Sequence, residues 1–280
     1  MKLIADSGST KTDWVVVEDE KVLGKIQTQG INPFHQDEAT IEAVLRHELL
    51  PQLPCSKEDT LYFYGSGLRE ELKPKMRKIF ENVFAPNPFA IAHFENDLLG
   101  AARALCGREE GIACILGTGA NSCLYDGEKI VQNTPPLGYI LGDEGSGAVL
   151  GKLFMNAIFK NPKFADIRDA YLQASGGLTM PDIINKVYRQ PLANRFLAST
   201  SSFISQHLDF EPLRQLVIDN FRAFFQHNVV QYQRQELPIH AVGSIAYYYQ
   251  RELQEAATLE GFQLGTVLRS PLEGLLLYHQ

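Results

Sequence analysis

The strongest constraint on this chain is a layout that occurs twice. LIADSGSTKTDWVVVEDEKVL, from Leu3, reads as an apolar strand, a turn of small polar residues, a second strand of β-formers, an acidic hairpin turn and a third strand. IACILGTGANSCLYDGEKIV, from Ile112, repeats that order about 110 residues later. Each copy is followed by helical periodicity and further strands, which predicts a duplicated α/β domain whose halves face one another across a cleft. At 280 residues the chain is at the upper limit for one hydrophobic core, so two domains are expected, 1–108 and 109–270. A hinge near Gly107 to Gly111 joins them, and a terminal helix over 271–280 packs back on the first. The copies differ: the first carries Asp6 ahead of its glycine, and the second is read as having Leu116 at the comparable place.

Helical stretches are expected over Ala39–Leu50, Glu71–Phe84, Leu98–Leu105, Gly147–Phe159, Ile183–Tyr188 and from Leu213 to about Gln235. Strands are expected at LYFYG, FAIAHF and PIHAVG, and Pro271 suits the first turn of the last helix. Asp97 falls between a strand and a helix, at the C-terminal end of a strand, where open α/β sheets bind their ligands.

Charge and cysteine usage exclude several classes. The net charge of −7, from 26 basic and 33 acidic residues, gives no general attraction to nucleic acid or anionic lipid. No signal peptide and no apolar run of about 18 residues is read, so a cytoplasmic protein without a membrane partner is expected. Cys55, Cys106, Cys114 and Cys123 form no CxxC pair and the histidines form no HxH or HExxH, which leaves buried thiols and disfavours a transition metal held by side chains. Carboxylates and backbone groups must carry the chemistry.

Asp6-Ser7-Gly8-Ser9-Thr10-Lys11-Thr12 and Leu116-Gly117-Thr118-Gly119-Ala120-Asn121-Ser122 are turns whose N–H groups and hydroxyls could grip phosphate. Each alone could equally be a hairpin tip. Facing each other, they would clamp a nucleotide triphosphate, with Asp6 holding its magnesium through water. Neither GxxxxGK[ST] nor a strand-following GxGxxG is present. Gly243-Ser244 either ends a strand or lets adenine or ribose approach the backbone. Asp143 and Glu144, between glycines, are either caps of the next helix or acceptors for a polyhydroxylated ligand. Asn32 is either a turn former before Pro33 or an amide aimed at ligand hydroxyls. Asp97 is the candidate general base for a hydroxyl acceptor.

These residues match a known pattern. DSGSTKT and LGTGANS resemble the two phosphate motifs of the actin, sugar kinase and heat-shock chaperone ATPase superfamily, and AVGSIA is similar to its adenosine motif. With ENDLLGAA and LGDEGSG, nearly the whole chain resembles the N-acetylglucosamine kinase branch of the BadF/BadG/BcrA/BcrD ATPase family. The resemblance implies an α/β fold of two ribonuclease H-like domains that close on ATP, Mg2+ and an amino sugar, whose 6-hydroxyl is phosphorylated. It places Asp97 as base, Asp6 at magnesium, and Gly8, Ser9, Thr10, Lys11, Thr12, Gly117, Thr118, Gly119, Gly243 and Ser244 at the nucleotide. Asn32, Gly67, Asp97, Thr118, Asn121, Gly138, Asp143 and Glu144 surround the sugar, and a homodimer stays open. Kinases for N-acetylmuramic acid also resemble the chain; Arg69 is either the partner of their lactyl carboxylate or a solvated arginine. From other classes, an iron–sulfur ATPase activator or a sugar sensor are the alternatives.

Overall fold

The computed structural model describes residues 1–8, 10–54, 60–85 and 88–280. Ser9 and Cys55 therefore lie outside the described residues. The chain divides into two compact units: one of 1–109, 127–129 and 270–280, the other of 110–126 and 130–269.

The first unit holds β1 (Lys2–Ser7), β2 (Lys11–Glu18), β3 (Lys21–Gln29), β4 (Thr60–Gly65) and β5 (Ile91–Asn96), ordered β3-β2-β1-β4-β5. β1 pairs antiparallel with β2 and parallel with β4, and β5 runs parallel to β4. The helices are α1 (Glu38–Val44), α2 (Lys73–Val83) and α3 (Asp97–Cys106), with α13 (Leu272–Tyr278) returning from the far end of the sequence. Alternation along the strands sends successive side chains to opposite faces. Leu3, Ala5, Trp14 and Val16 join a core with Ile41, Phe63, Ile79 and Phe80, while Ile4, Val15 and Val17 pack with Leu272 and Leu275. Both faces are therefore covered, which is why the strands read as continuous apolar runs. Gly274 admits the last helix: a Cβ there would lie 2.1 Å from the Ala104 carbonyl oxygen.

The second unit repeats the plan with β6 (Gly111–Leu116), β7 (Ala120–Tyr125), β8 (Ile130–Asn133), β9 (Ile239–Val242) and β10 (Leu264–Leu268), ordered β10-β9-β6-β7-β8. Directions match as well, with β6 antiparallel to β7, β7 to β8, and β6, β9 and β10 parallel. Its helices are α4 (Gly138–Leu141), α5 (Gly147–Lys160), α6 (Ala165–Ala174), α7 (Met180–Tyr188), α8 (Ala193–Ser199), α9 (Ser201–Ser205), α10 (Glu211–Phe224), α11 (Ser244–Tyr248) and α12 (Gln250–Leu259). α10 runs on into a π-helical turn, Phe225–Val229.

Two differences from expectation stand out. β10 has no forecast counterpart: it is an edge strand with Gly265 and Thr266 in the middle, and its register with β9 slips between Leu264 and Val267. The residue of the second hairpin at Asp6's place is Ile115, not Leu116. Ser7 and Leu116 are the last residues of their strands, and the partly exposed Asp6 and Ile115 sit one step earlier, opposite Asp13 and Asn121. Still, only the first copy supplies a carboxylate there.

Candidate active site

In the first unit the chemistry gathers at the C-terminal ends of parallel strands. Ser7, Gly65 and Asn96 lie side by side in register across β1, β4 and β5, so Asp6 and Asp97 sit at one edge of the sheet. Asn96 rather than Asp97 caps α3, its Oδ1 accepting from the Leu99 N–H at 2.7 Å; Asp97 is the first helical residue. Burial, then the negative charges of Asp97 and Asp13, push the Asp6 carboxyl up to about 7, against the pull of Lys11. Burial likewise raises Asp97 to about 6, opposed by N–H groups of Leu98 and Asp97 itself. Both keep partial access to solvent. Asp13 holds Lys11 Nζ at 2.7 Å and accepts from Gln27 Nε2 at 2.7 Å.

The turn between β1 and β2 is fastened from behind. The Gly8 N–H donates to the Lys11 carbonyl at 3.0 Å and the Gly30 N–H to the Thr10 carbonyl at 3.2 Å. Thr12 is fully buried; its hydroxyl lies 2.7 Å from that of Ser7 and donates to the Gln29 carbonyl, so it braces the turn from inside. Asn32 takes the turn-forming role that sequence offered. Its Oδ1 accepts from the Phe34 N–H at 3.0 Å, forming the turn around Pro33, and its Nδ2 points to Ser66 Oγ at 3.4 Å. Gly67, at φ 71°, packs so closely that a Cβ would lie 2.3 Å from Asn32 Oδ1. Arg69 is exposed, with its guanidinium 4.5 Å above the Phe34 ring.

In the second unit three glycine segments meet. The Gly147 and Ala148 N–H groups at the start of α5 donate to the Gly117 and Thr118 carbonyls at 2.8 and 3.1 Å. Gly243 has φ 125°, and a Cβ on it would lie 2.3 Å from the Leu116 carbonyl oxygen, so only glycine lets the start of α11, at Ser244, approach the hairpin turn. Asn121 Oδ1 accepts from the Ser122 N–H and from Asn133 Nδ2, both at 2.9 Å.

Asp143 and Glu144 do not cap α5. That cap is Ser146, whose Oγ accepts from the Val149 N–H at 3.1 Å. Asp143, in the left-handed region at φ 56°, turns its carboxylate to the hairpin: it accepts N–H donors from Gly138 and Ala120, and a Cβ on Gly119 would lie 3.0 Å from its Oδ2. Burial, assisted by the charge of Glu144, outweighs those donors and raises its pKa. Glu144 points the other way, to His227 Nδ1 at 3.1 Å and Asn228 Nδ2 at 3.4 Å. Burial acts to raise its pKa, but hydrogen bonds from His227, its own backbone and Asn228 prevail and lower it. Sequence reasoning missed His227, Asn228 and the buried Asn220, whose Oδ1 accepts from the Gly145 N–H at 3.1 Å.

Among the described residues no group of three metal-ligating side chains occurs, and no helix is long and apolar enough to cross a membrane. Cys106, Cys114 and Cys123 are buried.

Among solved structures, a putative N-acetylglucosamine kinase from Porphyromonas gingivalis superposes with a TM-score of 0.96 at 49% identity, covering 100% of this chain and 98% of that one. The chain belongs to the N-acetylglucosamine kinase family. A putative N-acetylglucosamine kinase from Chromobacterium violaceum shares the fold at 19% identity and TM-score 0.69, covering 100% of this chain and 98% of that one. A ROK family glucokinase from Streptomyces griseus, in complex with glucose and AMPPNP, shares it at 14% identity and TM-score 0.60, covering 99% and 97%. The two-unit plan of this N-acetylglucosamine kinase family member is thus that of the actin-like ATPase kinases. No protein-family model and no curated protein matches the chain.

Proposed function

We propose that this chain is an ATP-dependent sugar kinase that transfers the γ-phosphoryl group of ATP to the 6-hydroxyl of N-acetylglucosamine. The likeness at 49% identity over the full length carries the reading, and the recessed Asp6 and Asp97 supply the chemistry it needs. Phosphoryl transfer depends on positioning and charge stabilisation, with little covalent work for the protein. Asp97, with a pKa of about 6, is ionised at neutral pH yet basic enough to orient the sugar hydroxyl and accept its proton.

The surroundings of Asp6 fit a hydrated magnesium ion. Three carboxylates raise the local negative charge, Asp6 among them resisting ionisation until a cation arrives, and Mg2+ asks for one or two carboxylates plus waters and phosphates. When bound it would neutralise charge on the transferring phosphates. The hydroxyls of Thr10 and Thr118 and the ammonium of Lys11 would meet the phosphates, on turns that Gly8, Gly117 and Gly119 shape; Gly243 and Ser244 would lie against adenosine, and Thr12 braces. The residues read as meeting the sugar are Asn32 and Gly67 in the first unit and Asn121, Gly138 and the turn of Asp143 and Glu144 in the second. A reaction fed by ATP suits a protein of the cytoplasm.

The test is ATP turnover with N-acetylglucosamine, N-acetylmuramic acid, glucose and no sugar, with Asp97→Asn in parallel. Turnover that requires N-acetylglucosamine and falls about 100-fold in the variant is expected. Turnover with another acceptor only, or undiminished in Asp97→Asn, overturns the substrate or the base respectively.

A further inference from the structure

The two neighbouring carboxylates of the sugar turn face opposite ways. Each oxygen of Glu144 already has a donor from its own chain: His227 Nδ1 lies 3.1 Å from Oε1 and Asn228 Nδ2 lies 3.4 Å from Oε2. A carboxylate only accepts, so Nδ1 of His227 is assigned the proton. Both donors come from the turn Phe225–Val229, where the Val230 N–H returns to the Phe225 carbonyl in a π-helical pattern. Adjacent residues of an α-helix diverge by about 100°. Here two of them converge on one carboxylate at the widened turn.

Asn228 is itself pinned. Its carbonyl accepts from Thr134 Oγ1 at 2.8 Å, and the Thr134 N–H donates to Tyr232 Oη at 3.2 Å, which in turn meets Ser122 Oγ at 2.7 Å. The next residue of the sugar turn is fastened to the same helix, because Gly145 donates to Asn220 and lies so near Phe224 that a Cβ would come within 2.9 Å of its Cβ. Asp143 is thereby held at φ 56°, a conformation that persists only where neighbours dictate it, with its carboxylate at the Gly119–Ala120 turn.

We propose that Glu144 is the anchor of the sugar turn and that His227 and Asn228 are positioning residues that lock it, so that Glu144 itself does not touch the sugar. This rests on the reading of the turn as part of a sugar site. His227 is exposed enough for its replacement to leave folding intact.

The experiment measures kcat and both KM values for wild type, His227→Ala, His227→Asn, Glu144→Ala and the Ala/Ala double variant, with melting temperatures alongside. Asparagine returns an amide N–H near the Nδ1 position. Expected are a rise of about 10-fold in the sugar KM for His227→Ala, the scale of losing a hydrogen bond to a charged group, with the ATP KM and kcat within about two-fold. His227→Asn recovers most of that loss, and the double variant is no worse than Glu144→Ala. An additive double variant makes Glu144 a direct sugar ligand and overturns the proposal. So does an unchanged sugar KM in His227→Ala, whatever its melting temperature, or equal losses with alanine and asparagine. Wild type that phosphorylates sugar while its variants behave in those ways refutes the anchor only; wild type that phosphorylates no sugar refutes the kinase reading and the anchor with it.

Discussion

Asp6→Asn should stabilise the unliganded protein while removing its use of magnesium. The wild-type carboxyl, at about 7 in the fold against 3.8 as a free side chain, resists ionisation. A raised carboxylate pKa means that the folded state is favoured while the group is protonated and loses that advantage as pH climbs through the interval. Every pKa unit corresponds to about 1.4 kcal/mol, so the shift sets a ceiling of about 4 kcal/mol of destabilisation above pH 7. Partial solvent access to Asp6 and relaxation around it reduce this to about 2 kcal/mol. Asparagine keeps the shape and carries no charge. Thermal melts without nucleotide or divalent cation should place the variant above wild type by about 5 °C at pH 8, at roughly 2–4 °C per kcal/mol. The gap should narrow progressively as pH falls from 7 toward 3.8, below which the wild-type group becomes neutral in both states. Coincident melts at pH 8, or a gap independent of pH, would refute the argument that this carboxylate is held at electrostatic cost.

The kcat/KM of the kinase reaction should fall on acidification below about pH 6 as Asp97 takes up its proton, and a profile flat from pH 5 to 8 counts against Asp97 as base. Gly243→Ala places a methyl 2.3 Å from the Leu116 carbonyl at φ 125°, so it should cost about 2–3 kcal/mol in urea unfolding and raise the ATP KM with less effect on the sugar KM. Ser146→Ala removes the buried cap of α5 and should cost about 1 kcal/mol in the same assay.

The paired meanders were legible because β1, β2, β6 and β7 carry apolar runs interrupted by short polar turns, a signal that needs no tertiary context. Setting Asp6–Thr12 beside Leu116–Ser122 put Leu116 at Asp6's place, but the two turns close with different register: Ser7 opposes Thr12, whereas Leu116 opposes Ala120. β10 escaped notice because Gly265 and Thr266 interrupt its apolar pattern at a half-covered edge. The sugar turn was recognised as unusual from its glycines, yet the division between Asp143 and Glu144 depends on partners more than 80 positions away in sequence. A π-helical turn has no compositional mark, so His227 and Asn228 looked like ordinary polar residues near the end of a helix.

The return of α13 to the first unit sets a schedule for synthesis. β1 through α3 emerge early, but the Leu272 and Leu275 side chains that cover Ile4, Val15 and Val17 follow about 160 residues, nearly all of them in the other unit. At roughly 5–20 residues per second, that apolar face of the nascent sheet stays bare for about 10–30 s. During that interval it is a surface for chaperones to occupy, and the first unit, although translated first, is completed last.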